Sequence, residues 1–349
     1  MFNKNVRLVV VLAVIALLSV GLAPSAKAQS VFRVAAVAPS ATNDLAFSQS
    51  MYDALVTVQT AMGKDKFEFT FQDGTFVVDD AAVALREWAA SGEYNLVVAH
   101  GSQFGAVVEE LAKEFPNVSF AWGTDNKTFG LNNVFAYSAA SEQGGYINGA
   151  VASTLTTSKK IGVIGPIEVG DAKLYVDGFK AGVAATDPAV EVLVTYIQSF
   201  GDVPLATEAA TTHVANGADI LTGTAQMVVG PIAVAKEGKL LWFGTQASQA
   251  DLAAEAGVMF QVYRWEVVLN DIIAKVNSGT LGGEAYTLTL ENKGLAMVIS
   301  DKGTLAKEQA AGLQKMVDDL TAKISAGEVT VLPTVEATPE ATPEATPAK

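Results

Sequence analysis

Short apolar runs alternate with longer amphipathic stretches along most of this chain. The first run, "VFRVAAVAP" (Val31 to Pro39), has the continuous apolar character of a strand buried on both faces. After a polar loop, Phe47, Met51, Ala54, Leu55, Val58 and Met62 recur at the spacing of a helix that buries one side. The couplet then repeats. "FEFTFQDGT" (Phe67 to Thr75) alternates as a strand, with Ala82, Val83, Leu85, Trp88 and Ala89 patterning the helix after it. "YNLVVAHG" (Tyr94 to Gly101) precedes Val107, Val108, Leu111 and Phe115, and "VSFAWGTD" (Val118 to Asp125) and "VFAYSA" (Val134 to Ala139) complete the series. Strands joined through helices pair in parallel, because each crossover returns the chain to the same end of the sheet. Right-handed crossovers make the sheet doubly wound.

The rhythm restarts in the second half. "KIGVIGP" (Lys160 to Pro166), "VEVLVTYI" (Val190 to Ile197), "GADILTGT" (Gly217 to Thr224) and "KLLWFGT" (Lys239 to Thr245) read as strands. Helical stretches lie between them, at Ala172 to Ala185, Pro204 to Asn216 and Val229 to Glu237. The fold class is therefore α/β, with two doubly wound parallel-sheet lobes. Ligands bind beyond the carboxyl ends of parallel strands, so the expected site is the cleft between the lobes.

The ends of the chain depart from this rhythm. Asn3, Lys4 and Arg7 lead into "LVVVLAVIALLSVGLA" (Leu8 to Ala23), and Ala26, Lys27 and Ala28 fit the small-x-small pattern of a cleavage point. Residues 1–28 thus read as an export signal removed after Ala28; the apolar run is short for a membrane span of roughly 20 residues. Residues 333–349 repeat Glu-Ala-Thr-Pro and read as an extended, disordered Thr/Pro/Glu/Ala-rich tail. The chain has no Cys, so lipid attachment at the cleavage site, disulfides and thiolate chemistry are excluded. A formal net charge of -14 argues against nucleic acid as a partner, since that work needs clustered Lys and Arg.

What sits at the strand ends bears on the ligand. The first half offers Asn43, Asp44 and Phe47; Asp73; His100, Ser102, Gln103 and Phe104; and Trp122, Thr124 and Asp125. The second offers Glu168 and Asp171; Gln198, Phe200 and Asp202; Thr222, Thr224 and Gln226; and Gln246, Ser248 and Gln249. Amides, hydroxyls, carboxylates and rings outnumber cations, a lining suited to a neutral, flat, hydrogen-bonding ligand. Phe47 opens the apolar stripe of its helix and Asn43 or Asp44 sits where a side chain caps a helix, so core and capping roles stand beside the binding roles. Trp122 and Trp242 lie inside apolar strand runs and are read as core. An enzymatic reading finds no footing: the two histidines, His100 and His213, are far apart, and no phosphate-binding glycine loop or nucleophile turn appears. No metal or other cofactor is implied.

Several segments in order, "NDLAFSQSMYDAL", "SEQGGYINGAVASTLTTSKKIGVIGP", "DGFKAG", "TYIQSFGDVPLATEAA", "GADIL" and "FGTQASQ", resemble the basic membrane protein family of ABC-transporter substrate-binding proteins, also called PnrA-like or Med-type. The likeness runs from about Val31 to about Lys323. It implies the type I periplasmic-binding-protein fold, with lobes joined by crossover hinge strands, and capture of a nucleoside-like solute for an ABC permease. By the same resemblance Phe47 and Phe200 would stack on a base, with Asn43 or Asp44 at its edge and Gln49 in the matched stretch. His100, Ser102, Asp125, Asp202, Thr224, Gln246, Gln249 and Trp265 complete the candidate ligand-binding set. The chain departs from the family at "GTQASQ", where Gln246 and Ser248 replace two aspartates, at "YRWEVV" in place of Ser-x-x-Lys, and at Ser48 in place of Asn. A nucleoside, a free base or another flat polar metabolite all remain open as ligand. The expected first lobe is 31–139 plus 258–278, and the second is 140–257 plus 290–325. The expected protein is an exported monomer without lipid anchor that binds a small-molecule solute and is not an enzyme. A ligand sensor docking on a membrane receptor and a sugar-binding protein of the same fold are the alternatives.

Overall fold

The computed structural model describes residues 31–305 and 307–332; the expected signal at 1–28 and tail at 333–349 lie outside them. The first half runs β1 (Phe32–Val37), α1 (Phe47–Met62), β2 (Phe67–Gln72), α2 (Val78–Ser91), β3 (Leu96–His100), α3 (Gly105–Glu114), β4 (Ser119–Gly123) and β5 (Val134–Ala139). It continues through α4 (Ser141–Leu155), β6 (Lys160–Gly165), α5 (Gly170–Thr186), β7 (Glu191–Tyr196), α6 (Val203–Ala215), β8 (Ile220–Gly223), α7 (Val229–Gly238), β9 (Leu241–Gly244), α8 (Gln249–Ala253) and β10 (Gly257–Tyr263). The last elements are α9 (Glu266–Asn277), β11 (Ala285–Leu288), β12 (Leu295–Ile299) and α10 (Lys307–Ser325). Every residue of β3, β4 and β5 is buried, which is why these strands read as unbroken apolar runs.

Two sheets form, in the orders β11-β5-β4-β3-β1-β2 and β12-β10-β9-β8-β6-β7. All neighbours are parallel except β10 and β12, which pair antiparallel. The chain crosses between lobes three times: from β5 to α4, from β10 to α9, and from β11 to β12. This corrects the expected return of 258–278 to the first lobe. Residues 258–263 form most of β10 and pair with β9 and β12 in the second sheet, whereas α9 packs on α1 and β11 joins the first sheet beside β5. A buried strand carries no mark of which sheet it joins; hydrogen-bond partners decide that.

Helices α4 and α5 touch backbone to backbone. Each carries glycines four residues apart, Gly145 and Gly149 on one, Gly178 and Gly182 on the other. A Cβ at Gly149 would collide with the carbonyl of Phe179, and one at Gly182 with the carbonyl of Tyr146. The segments "GGYING" and "DGFKAG" are thus explained by helix packing. This packing fixes α5, whose first turn points its residues at the cleft.

Candidate functional site

A cavity of about 300 Å³ lies between the lobes. Its walls come from the segments beyond the carboxyl ends of the strands: Pro39, Ala46, Phe47, Phe76, Gly101, Ser102, Gln103 and Thr124 from the first lobe. The second lobe contributes Val169, Gly170, Asp171, Ala172, Phe200, Thr224, Ala225, Gln226, Thr245, Gln246 and Tyr263. No Lys, Arg or His is among them, and Asp171 is the one carboxylic acid.

Phe47 is half-buried and rests on the fully buried imidazole of His100, with ring centroids 3.9 Å apart and planes 12° from parallel. His100 in turn is parallel to Tyr137, at 5.9 Å, and its Nδ1 lies 2.9 Å from the Tyr137 hydroxyl. His100 and Tyr137 stand on strands two places apart, both in register with Gly123 on β4 between them. A side chain at Gly123 would strike the Tyr137 ring, so the glycine leaves the space across which that ring reaches His100. Trp265 closes the stack edge-on. Burial drives the His100 pKa down to about 3, against a smaller opposing pull from the Phe47 carbonyl, so the ring is neutral at physiological pH.

The second lobe presents polar groups to the same space. The Oδ2 of Asp171, in the first turn of α5, is buried without a hydrogen-bond partner. Burial, with the nearby carboxyl of Glu142 adding to it, raises the Asp171 pKa to about 7, although a backbone hydrogen bond at Ala139 opposes the rise. Tyr263 is held by its hydroxyl, 2.7 Å from Ser141 Oγ. Gln226 donates through Nε2 to Ser40 Oγ of the first lobe, 2.9 Å away, and its Oε1 is buried and unpartnered.

Of the candidates from sequence, Phe47, Ser102, Phe200, Thr224 and Gln246 line the cavity; the remaining eight do not. Asn43 is exposed on the loop. Asp44 caps α1, accepting from the backbone N–H groups of Ala46, Ser48 and Gln49 at 2.8 to 3.1 Å. The Gln49 side chain accepts from Leu45 N, Asp125 accepts from Asn126 and Lys127 N within its own turn, and Asp202 caps α6 through Leu205 N. His100 lies behind Phe47 rather than at the surface of the cavity. Gln249 is fully buried and its Nε2 donates to Leu45 O across the lobes, at 3.3 Å. Trp265, a ligand-binding candidate, is fully buried, stacks on Tyr263 and donates to Ser50 Oγ at 2.9 Å. Trp122 and Trp242 are core, as their strand runs imply. The strand-end inventory contains Gln103, Thr124, Asp171 and Gln226, which the candidate set leaves out; Phe76 and Tyr263 carry no signal beyond being aromatic near a strand end. Gln246 and Tyr263 also border a second cavity of about 200 Å³ beside Asp53 and Arg264.

Comparison with known proteins follows the same outline. The profile of a family described as "ABC transporter substrate-binding protein PnrA-like" matches residues 31–331. The chain is 25% identical over 283 residues to the transcriptional activator protein med of Bacillus subtilis, covering 80% of this chain and 86% of that one. It is 24% identical over 265 residues to a purine-binding protein of Brucella abortus, covering 76% and 73%. Among solved structures, a solute-binding protein of an ABC transporter system from Conexibacter woesei superposes with a TM-score of 0.73 at 26% identity, over 86% of this chain and 98% of that one. No described helix is long and apolar enough to cross a membrane.

Proposed function

Since the chain belongs to the PnrA-like family of ABC transporter substrate-binding proteins, we propose that its cleft captures a nucleoside-like or other flat polar solute for delivery to a membrane permease. One observation carries the ligand class: Phe47 from the first lobe and Phe200 from the second line a single cavity that holds no lining cation. Closing two rings onto a base would contribute about 1–3 kcal/mol per stack. A phosphate or carboxylate ligand would find no positive partner there. The purine-binding relative supports the same class. Gln246, a neutral amide where the resembling family has an aspartate, offers a ribose diol a weaker acceptor, which keeps free bases in the set. The protein works outside the cytoplasm as a monomer, freed by cleavage after Ala28, and releases its solute unchanged.

A thermal-shift screen of nucleosides, bases and simple sugars tests this. Stabilisation by at least one nucleoside or base is expected, and stabilisation by pyranose sugars alone would overturn the reading. Chromatography of recovered ligand should return the intact compound; a cleaved base would mean turnover. The name of the B. subtilis relative favours a second reading, a sensor that reports the solute to a regulatory partner. Permease and ATPase genes beside this one would support transport, and a kinase or chemoreceptor gene would support sensing.

A further inference from the structure

Two buried oxygens of the cavity, Asp171 Oδ2 and Gln226 Oε1, both on the second lobe, have no hydrogen-bond partner among the described residues. The orientation of the Gln226 amide follows from its neighbours. Ser40 Oγ spends its proton on the Asp44 carboxylate, so toward Gln226 it can only accept. The amide nitrogen must therefore face Ser40, which leaves Oε1 as a free acceptor. Gln226 Oε1 thus offers lone pairs, as does Asp171 Oδ2 when its carboxyl is ionised. A buried acceptor without a partner is costly, and a ligand that supplies the missing donor recovers that cost. Resting on the reading of the cleft as a solute site, we infer that the second lobe selects ligands presenting N–H donors, as amino-substituted heterocycles do, with Asp171 as the decisive acceptor.

The sign of the pH dependence follows. Glu142 on α4, Tyr137 on β5 and Tyr263 on β10 are the titratable groups whose charges act with Asp171, and none of them is a cation. An N–H donor needs Asp171 ionised, so affinity for such a ligand should rise as pH increases from 6 to 8. A ligand that accepted a proton from Asp171 would show the reverse.

Calorimetry with two pairs of probes, adenosine against purine riboside and guanosine against inosine, tests the inference in wild type and in Asp171→Asn, with the sugar-free 2-aminobenzimidazole as a fifth probe. The amino-bearing member of at least one pair should bind roughly ten- to a hundredfold more tightly in wild type. That gap should shrink severalfold or more in the variant. Purines that bind equally well to both proteins, with no dependence on pH, would overturn the inference and leave the nucleoside reading intact. If 2-aminobenzimidazole alone binds, and depends on Asp171, the inference stands and the nucleoside reading falls. Binding of none of the five overturns both. Because Asp171→Asn is isosteric and removes a buried acid, cooperative unfolding of the variant is expected, and the wild-type pH profile is a test that needs no variant.

Discussion

The imidazole of His100 is held between the Phe47 ring and Tyr137, away from water. Its pKa in the fold, about 3, lies below the ordinary 6.5, so folding favours the neutral ring. The stabilisation is complete above pH 6.5 and is lost as pH falls from 6.5 toward 3, where the unfolded chain takes up the proton first. The ceiling on this loss is about 4–5 kcal/mol. His100→Gln should cost stability at pH 7 through lost packing, and the gap to wild type should narrow by pH 4; a gap independent of pH in denaturant titrations would refute the assignment. Asp171 acts in the opposite sense. Its raised pKa means stability declines as pH rises from about 4 to 7, so Asp171→Asn should be more stable than wild type at pH 8, read by urea midpoint. For Phe47→Ala, loss of one stacking face predicts a five- to hundredfold weaker affinity, on the order of 1–3 kcal/mol. Unchanged affinity in a folded variant would return the ring to a packing role. The place of Phe47 beside the cleft was legible in the sequence because it opens a helix after a buried strand, although the apolar stripe it begins left core and binding roles equally open. The backing by His100 was not, since it depends on two strands separated by Gly123.

At the scale of elements, the contact between α4 and α5 has the least slack. Gly149→Ala adds a methyl against the Phe179 carbonyl, where only backbone movement can make room. A loss of about 1–3 kcal/mol or more is expected in urea unfolding. Because α5 begins with Gly170 and Asp171, ligand affinity should fall as well. Stability equal to wild type would mean the two helices do not meet this closely. The glycine spacing is visible in the chain, but a sequence motif does not say whether it serves a ligand or a neighbouring helix. Asp44 shows the same limit: a carboxylate just before a helix suits both capping and binding, and here three backbone N–H groups occupy it.

For the whole molecule, an apolar cluster runs through both lobes at the crossovers, and among the described residues hydrogen bonds also span the cleft. Gln226 reaches Ser40 and Gln249 reaches Leu45 O. Gln226→Ala removes the first and should shift the unliganded protein toward an open form, with a larger radius of gyration than wild type in small-angle scattering; superimposable curves would show that this contact does not hold the lobes together. The two sheets were readable because β1 to β9, the direct β4–β5 connection apart, follow one strand-helix rhythm. The return path was harder: β10 resembles any buried strand, and β11 is a four-residue edge strand whose alternation is too brief to stand out. That return path also governs how the protein is made. β11 and β12 add the last strand to each sheet, so the first sheet lacks a strand until residue 288 has been made and the second until residue 299. A chain still being synthesised therefore has neither sheet whole for most of its length.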